Sequence, residues 1–245
     1  MKIRVGHLYP EYLNIYADRG NIAVLAARAA ARSHELEVVA IGLGDSLPAG
    51  IDLFYVGGGQ DREQELVARD FAGRGPALAE AVDGGVVVLG VCGGYQLLGR
   101  SYRDRAGAEL PGAGLLPLHT VAGERRMIGD VLLDCGWARE TLAGFENHAG
   151  RTVLDEGAEA LGRVISGFGN DGRSGFEGCR CGRVYGTYLH GPLLPRNPWF
   201  ADRLLAEALG RRAGGPVELA PLADELERVA FSVSAARARE RGGRY

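Results

Sequence analysis

The order of apolar and polar positions predicts alternating strands and helices in the first part of this 245-residue chain. Residues 2–8 alternate as a strand does, and residues 38–41 and 53–56 are short runs of β-branched or aromatic side chains. Residues 21–32 are rich in alanine with apolar side chains on one side, which indicates a helix. Residues 86–89 are the most apolar run and are predicted to be a central strand buried on both faces. This alternation favours a parallel sheet with right-handed crossovers.

The second part of the chain has a different pattern, with more strands and many glycine-rich turns. Its strand-like segments are residues 127–133, 163–168 and 183–188. Its helical segments are residues 199–210 and 222–240. We therefore expect an α/β domain with a strand-rich C-terminal half over residues 1–212. Residues 213–245 are expected to be a helical extension that is packed on this domain or frays from it.

Composition and charge narrow the class of protein. Apolar residues make up 46% of the chain and charged residues 24%, as in ordinary globular proteins. No apolar run approaches the roughly 18 residues of a membrane span, and the first ten residues lack the features of a signal peptide. We therefore expect a cytoplasmic protein without membrane insertion. The net charge of −3 argues against nucleic acid as the main partner.

The sequence contains one lysine, Lys2, which excludes two kinds of chemistry. A phosphate-binding P-loop needs a Gly-Lys-Ser/Thr motif, and a Schiff-base enzyme needs a lysine amine in its site. Neither can be built from this chain. The four cysteines are expected to be free thiols in a cytosolic protein, and one of them is a candidate nucleophile.

The strongest local signal for chemistry is Cys92 within Gly-Val-Cys-Gly-Gly at residues 90–94, directly after the predicted central strand. This arrangement has the form of a nucleophile elbow in which cysteine replaces serine. The helix predicted to follow, from about residue 95 to 99, points its N-terminus at the sulfur and favours the thiolate. The alternative is a buried cysteine at a tight turn.

A second glycine run, at residues 57–59, follows the predicted strand at 53–56. Backbone amides at the end of a strand can donate to an oxyanion, and we expect this run to lie beside the elbow on the neighbouring strand. By itself a triple glycine is equally typical of any turn.

A cysteine nucleophile needs a base, and His190 is the histidine best placed to supply it. It follows directly on the strand-like residues 184–189, so it can overhang the same edge of the sheet as Cys92. His148 stays open as an alternative because it lies in a cluster of polar residues. The Cys-x-Cys pair at 179–181 lacks the second pair that a structural zinc site requires, so we expect strand-edge thiols and no metal.

Taken together, these motifs resemble those of the class I glutamine amidotransferases, in the branch that includes the cobyric acid synthases. The motifs that carry this resemblance are residues 57–59, 91–96 and 188–192. Within the branch, the chain is similar to the GatD-type glutaminase subunits of lipid II isoglutaminyl synthase. That similarity lies in residues 57–65, 144–152 and 186–192, and the resemblance runs over nearly the whole chain, from residue 13 to about residue 210.

The resemblance implies a three-layer α/β fold around a flavodoxin-like, mostly parallel sheet, with residues 1–212 as the amidotransferase domain. It also implies hydrolysis of L-glutamine through a thioester, with no cofactor or metal in this chain. The ammonia would pass to a MurT-like, Mur-ligase-like partner that uses ATP, in a heterodimer. That partner would amidate the D-glutamate of lipid II to D-isoglutamine.

The resemblance also implies roles for individual residues. Cys92 would attack the side-chain amide of glutamine, and His190 would move the protons. Amides of the turn at Gly58 and Gly59, together with the amide of Gly93, would hold the oxyanion.

Arg126 matches the arginine that the family uses to hold the substrate, and its planar fork suits the α-carboxylate. The alternative for Arg126 is a solvated surface charge, since Arg125 stands beside it.

One position departs from the wider class. Most members place a glutamate two residues after the histidine to orient its ring, and here that position is Pro192. The third member of the site would be Asp18 or Glu146, or it would be absent from the chain. We favour Asp18, for which a helix N-cap is the alternative role.

Three alternatives to this function remain at the level of sequence. The same fold could deliver ammonia to another carboxylate, such as a cobyrinate. A cysteine peptidase of similar fold would use the same nucleophile and base. A subunit that only docks and stabilises a synthetase would need neither of them.

Overall fold

The computed structural model describes residues 1–15 and 19–241. The strands are β1 (Lys2–Leu8), β2 (Glu35–Ile41), β3 (Leu53–Val56), β4 (Val87–Val91), β5 (Ser101–Arg103), β6 (Glu109–Pro111), β7 (Leu118–Cys135), β8 (Glu140–Leu154), β9 (Gly162–Ser166), β10 (Phe176–Glu177), β11 (Cys179–Cys181) and β12 (Val184–Thr187). The helices are α1 (Arg19–Ala30), α2 (Asp61–Asp83), α3 (Gly93–Leu98), α4 (Pro198–Ala213) and α5 (Glu225–Arg241), with a 3-10 turn at Leu194–Arg196.

The first sheet carries the expected parallel core. Its strand order is β11-β12-β4-β3-β1-β2, and every pair is parallel except β11 with β12 at the edge. All residues of β4 are buried, which confirms the prediction of a central strand covered on both faces. Because neighbouring parallel strands end at the same edge, the carboxyl ends of β3, β4 and β12 lie together.

The strand-rich half of the chain forms a second, mainly antiparallel sheet. Its order is β10-β9-β7-β5-β6, and β8 pairs with β7 off this path. The β7–β8 hairpin is long and has a register shift between Ala122 and Met127. Strands β1 to β4 and β7, β9 and β12 confirm the strands expected from the sequence: β1 and β3 have the expected bounds, β2, β4 and β7 are longer, and β9 and β12 are shorter. The α/β fold class is therefore confirmed, with the strand-rich half as a sheet of its own.

The long helix α2 and the strand β8 were not expected from the sequence. Helix α2 contains Gly73, Gly75 and Pro76, which usually interrupt helices. It forms nevertheless because Val67, Phe71 and other apolar side chains along its length are buried in the core. Tertiary burial thus outweighs the unfavourable local propensities.

The C-terminal helix α5 packs against the second sheet and the 3-10 turn. Its Ala235 and Ala238 lie against Leu132 and Ala143 in a small apolar cluster, and Ser166 Oγ donates to the Ala238 carbonyl. The division between residues 1–212 and 213–245 stays a prediction. None of the described helices is both long enough and apolar enough to cross a bilayer.

Candidate active site

Cys92 stands at the sharp turn between β4 and α3. Its backbone has φ 51° and ψ −105°, an unfavourable conformation for a residue with a side chain and one associated with functional sites. Glycines are needed on both sides of this turn. A Cβ on Gly90 would lie 2.4 Å from Leu98 Cδ1, and a Cβ on Gly94 would lie 2.5 Å from the Val56 carbonyl oxygen. The chain between β4 and α3 therefore has the geometry of a nucleophile elbow.

The triple-glycine turn lies against this elbow, as expected from the pairing of β3 with β4. The Gly94 N–H donates to the Gly57 carbonyl at 3.0 Å, and the Gly58 carbonyl accepts from the amide of Ile15. A Cβ on Gly93 would come within 2.9 Å of the Gly59 nitrogen. The backbone amides of Gly59 and Gly93 are thus close neighbours beside Cys92.

His190 lies at the same edge of the sheet as Cys92. Strand β12 pairs with β4 so that Thr187 is opposite Val91, and the Cys92 N–H donates to the Thr187 carbonyl at 2.8 Å. His190 follows β12, is fully buried, and exchanges backbone hydrogen bonds with Phe145 of β8. The sheet thus brings the predicted nucleophile and base to the ends of two adjacent strands.

Two fully buried carboxylates, Glu177 and Glu146, lie near the histidine segment. Glu177 accepts from the Tyr188 amide at 2.6 Å and from the Thr187 hydroxyl, so it holds the backbone that leads to His190. The pKa of Glu177 is raised to about 8, because burial and, less strongly, the charge of Glu146 outweigh the lowering effects of these two donors and of His190.

The contacts described for Glu146 are with residues other than His190. Its carboxylate accepts from the amides of Phe168 and Gly169 at 2.6 and 2.9 Å, and lies 3.6 Å from His148 Nε2. Asp18, which we favoured as the third member of the site, lies outside the described residues. Its role stays a prediction.

Cys92 opens onto a cleft of about 590 Å³. The polar side chains that line it are Gln60, Arg62, Gln64, Gln96, Arg126 and His148. Arg126 is exposed and is held by Asn147, because its Nε donates to the side-chain oxygen at 2.8 Å and its Nη2 to the carbonyl at 2.7 Å. The guanidinium is thus fixed at the wall of the cleft that contains Cys92.

The floor of the cleft is a buried network around Tyr188. The Tyr188 hydroxyl receives a hydrogen bond from Gln96 Nε2 at 3.0 Å and lies 2.6 Å from the Thr152 hydroxyl. His148 stacks on the tyrosine ring with centroids 3.5 Å apart, and its Nδ1 lies 2.9 Å from the Gly150 carbonyl. Burial lowers the pKa of His148, despite the opposing effect of Glu146. The imidazole is therefore neutral near pH 7.

The other cysteines differ from Cys92 in their surroundings. Burial raises the pKa of both Cys135 and Cys179 to about 12, so neither is a ready nucleophile. Cys181 is exposed on the edge strand β11, in agreement with the expectation of strand-edge thiols. All four cysteines are free. In the part of the chain that the structure describes, no three His, Cys, Asp or Glu side chains converge as metal ligands would.

Several residues of the site were missed by the sequence reasoning. Gln64 follows the triple-glycine turn by one helical turn and lines the cleft, but α2 itself was not predicted. Glu177 follows a glycine-rich segment, and its strand β10 is only two residues long, too short for a pattern of alternation to reveal it. Gln96 and Tyr188 were within recognised motifs, and only the fold shows that they contact each other.

Comparison with known proteins agrees with this geometry. Residues 4–198 match the family model of the CobB/CobQ-like glutamine amidotransferase domain. The chain is also similar in fold to PurLQS from Thermotoga maritima, with a TM-score of 0.56 and 19% identity over 78% of this chain and 88% of that chain. A similar fold occurs in the glutaminase domain of Trypanosoma brucei CTPS, with a TM-score of 0.52 and 11% identity over 88% and 96% of the two chains.

The chain is therefore a member of the CobB/CobQ-like glutamine amidotransferase family. Within it, the chain is 38% identical to a Staphylococcus aureus protein named lipid II isoglutaminyl synthase (glutamine-hydrolyzing) subunit GatD, over 92% of both chains. Its identity to the Streptococcus pneumoniae subunit of the same name is 35%, over 92% of this chain and 87% of the relative. A cobyric acid synthase from Pelotomaculum thermopropionicum is 37% identical, but only 40% of its length is matched.

Proposed function

We propose that this chain is the glutamine-hydrolysing subunit of a lipid II isoglutaminyl synthase. It releases ammonia from L-glutamine and delivers it to a MurT-like, Mur-ligase-like partner that uses ATP, in a heterodimer in the cytoplasm. The partner then amidates the D-glutamate of lipid II to D-isoglutamine during peptidoglycan synthesis. The observation that carries the proposal is the elbow at Cys92, which shares one sheet edge with His190 in a chain related to GatD subunits over 92% of its length.

The first half of the reaction forms a thioester. The Cys92 thiolate attacks the side-chain amide carbon of glutamine, and His190 takes the thiol proton. The negative charge that develops on the carbonyl oxygen is held by amides of the Gly58–Gly59 turn and of Gly93. A single donor of this kind is worth roughly 3 kcal/mol of transition-state stabilisation.

The second half of the reaction releases the products. His190 gives its proton to the departing nitrogen, and ammonia leaves as the carbon–nitrogen bond breaks. His190 then takes a proton from water, which attacks the thioester carbonyl. The carbon–sulfur bond breaks, glutamate leaves, and the Cys92 thiolate is restored for the next cycle.

Arg126 supplies recognition of the substrate. Its guanidinium is fixed by Asn147 at the wall of the cleft, and it carries the positive charge that an α-carboxylate needs. Two fixed hydrogen bonds reduce the entropy that the side chain would lose on binding. Arg126 thus selects a free amino acid over the interior of a peptide, which argues against the peptidase alternative.

The proposal also names the acceptor of the ammonia, the D-glutamate of lipid II. Two relatives that are single subunits of a lipid II enzyme match almost their full length, whereas the chain matches 40% of a cobyric acid synthase. A carboxylate of the cobyrinate type is the second candidate acceptor, supported by the family match itself.

The test is reconstitution with a Mur-ligase-like partner, ATP, magnesium and L-glutamine, with lipid II or a cobyrinate offered as acceptor. The product is analysed by mass spectrometry for replacement of a carboxylate hydroxyl by an amino group. We expect amidation of the D-glutamate in lipid II and none of the cobyrinate. Amidation of the cobyrinate alone would refute the proposed acceptor.

A second arm separates catalysis from a docking role. Cys92→Ala should abolish amidation driven by glutamine and leave amidation driven by added ammonium salt intact, because only the source of ammonia is lost. Cys181→Ala, which alters an exposed thiol away from the cleft, is the matched control and should behave as wild type. Full activity of Cys92→Ala with glutamine would mean that the chain only stabilises its partner.

A further inference from the structure

The backbone that follows His190 is held from the C-terminal helix α5, which lies beyond the residues matched by the family model. Ser234 of α5 is buried, and its hydroxyl accepts a hydrogen bond from Arg196 Nη1 at 3.1 Å. The other terminal nitrogen of Arg196 donates to the carbonyl of Gly191. Gly191 is bonded directly to His190, so three side-chain and backbone groups link α5 to the predicted base.

The Gly191 peptide needs such support because its conformation is unusual. Gly191 has φ 93°, a region that side-chain-bearing residues rarely adopt, and this turn sends the chain away from His190 toward the 3-10 turn. A Cβ on Gly191 would lie 3.3 Å from Arg196 Nη2, which shows how closely the guanidinium approaches this peptide. The Arg196 guanidinium, which is partly buried, thus holds the orientation of this turn.

The surroundings of Arg196 strengthen its hydrogen bonds to Ser234 and Gly191. Burial lowers the pKa of Arg196, an effect to which Arg237 of α5 adds and which Asp130 of β7 opposes. A partly buried guanidinium loses hydration, so each of its remaining hydrogen bonds counts for more than at the surface. The contacts described for its terminal nitrogens go to Ser234 and Gly191.

We propose that Arg196 and Ser234 are positioning residues that hold His190 in register with Cys92, so that α5 is part of the catalytic apparatus. The proposal rests on the proposed role of His190 as the base in glutamine hydrolysis. On the N-terminal side of His190 the Glu177 carboxylate accepts from the Tyr188 amide, so the backbone is held both before and after the histidine.

The test uses the full-length chain and two readouts. Glutamine hydrolysis is measured first in the wild type with its partner, so a failure of the proposed function would appear there and not in the variants. The second readout is alkylation of Cys92 by iodoacetamide as a function of pH, which requires neither glutamine nor a partner. The midpoint of that profile reports how well the histidine supports the thiolate.

Arg196→Met retains the aliphatic stem and removes both donors. We expect kcat to fall by about tenfold or more with KM for glutamine changed less than about twofold, because a displaced base slows chemistry and not binding. The alkylation midpoint should rise by about one pH unit. Arg239→Met changes an exposed arginine of α5 and should leave both readouts unchanged.

Ser234→Ala tests whether the helix acts through the arginine. It should cause a smaller change of the same kind, and the double variant should be no worse than Arg196→Met alone, because both act along one path. Unchanged kcat and an unchanged alkylation midpoint in Ser234→Ala and Arg196→Met would overturn the proposal. If Arg196→Met does not fold, an unchanged midpoint in Ser234→Ala is sufficient to overturn it.

Discussion

The packing of the triple-glycine turn on the elbow gives a sharp prediction for Gly94→Ala. A Cβ at this position would lie 2.1 Å from Val56 Cγ1, 2.5 Å from the Val56 carbonyl oxygen and 2.8 Å from the Gly57 carbonyl oxygen. All three distances are below 3.0 Å, which real Cβ atoms essentially never show, and two of the three atoms are backbone oxygens. The turn must therefore move away from Cys92, and the Gly94 hydrogen bond to Gly57 is lost with it.

The magnitude follows from two separate consequences of that movement. Overpacking of a tightly packed region destabilises a protein by about 1–3 kcal/mol. Displacement of the Gly59 amide removes one oxyanion donor, which lowers kcat by about 10²- to 10³-fold. Gly94→Ala should therefore lose activity far beyond the small loss of folded protein at room temperature.

The assay is release of ammonia from glutamine, combined with urea unfolding of the same preparations. Gly73→Ala is the matched control, because Gly73 lies in helix α2 and a Cβ there meets no atom within 4 Å. It should retain full activity and gain about 0.5–1 kcal/mol of stability. Gly94→Ala with wild-type kcat would refute the assignment of this turn to the oxyanion site.

Three further predictions concern the cleft and its floor. Arg126→Met should raise KM for glutamine about 10- to 100-fold with a smaller effect on kcat, since a hydrogen bond to a charged group is worth about 1.5–3 kcal/mol; Arg125→Met is the control in the same kinetic assay. Tyr188→Phe leaves the buried amide of Gln96 without its acceptor and should lower the free energy of unfolding by about 1–3 kcal/mol in urea titrations. Burial raises the pKa of Glu177 to about 8, so its ionisation opposes folding, and its contribution to stability is lost as pH rises from about 4.5 through 8. Wild type should therefore lose stability relative to Glu177→Gln between about pH 5 and 8, and a constant difference between them over this range would contradict this sign.

The parts of the fold that the sequence predicted well are those in which pattern and burial agree. Strand β4 is apolar throughout because both of its faces are covered, and the glycines beside Cys92 are needed by the turn itself. Such local requirements leave a direct trace in the sequence. The proximity of the glycine turn to the elbow followed from the same reasoning, because parallel neighbours end at one edge.

The parts that the sequence did not predict depend on contacts between distant residues. Helix α2 was missed because Gly75 and Pro76 are locally unfavourable, and only burial of the helix in the core reveals it. The relation of Ser234 to His190 spans 44 positions in the chain and passes through a guanidinium and a backbone carbonyl. No periodicity or motif in the sequence indicates these hydrogen bonds, because they depend on how the chain folds.

Covalent labelling with a glutamine-like diazoketone, followed by peptide mapping, tests the central claim most directly. The chain is labelled with and without excess L-glutamine, alone and together with its partner. The account predicts an adduct confined to Cys92 that glutamine suppresses. An adduct on Cys135, Cys179 or Cys181, or labelling of Cys92 that glutamine leaves unchanged, would contradict it.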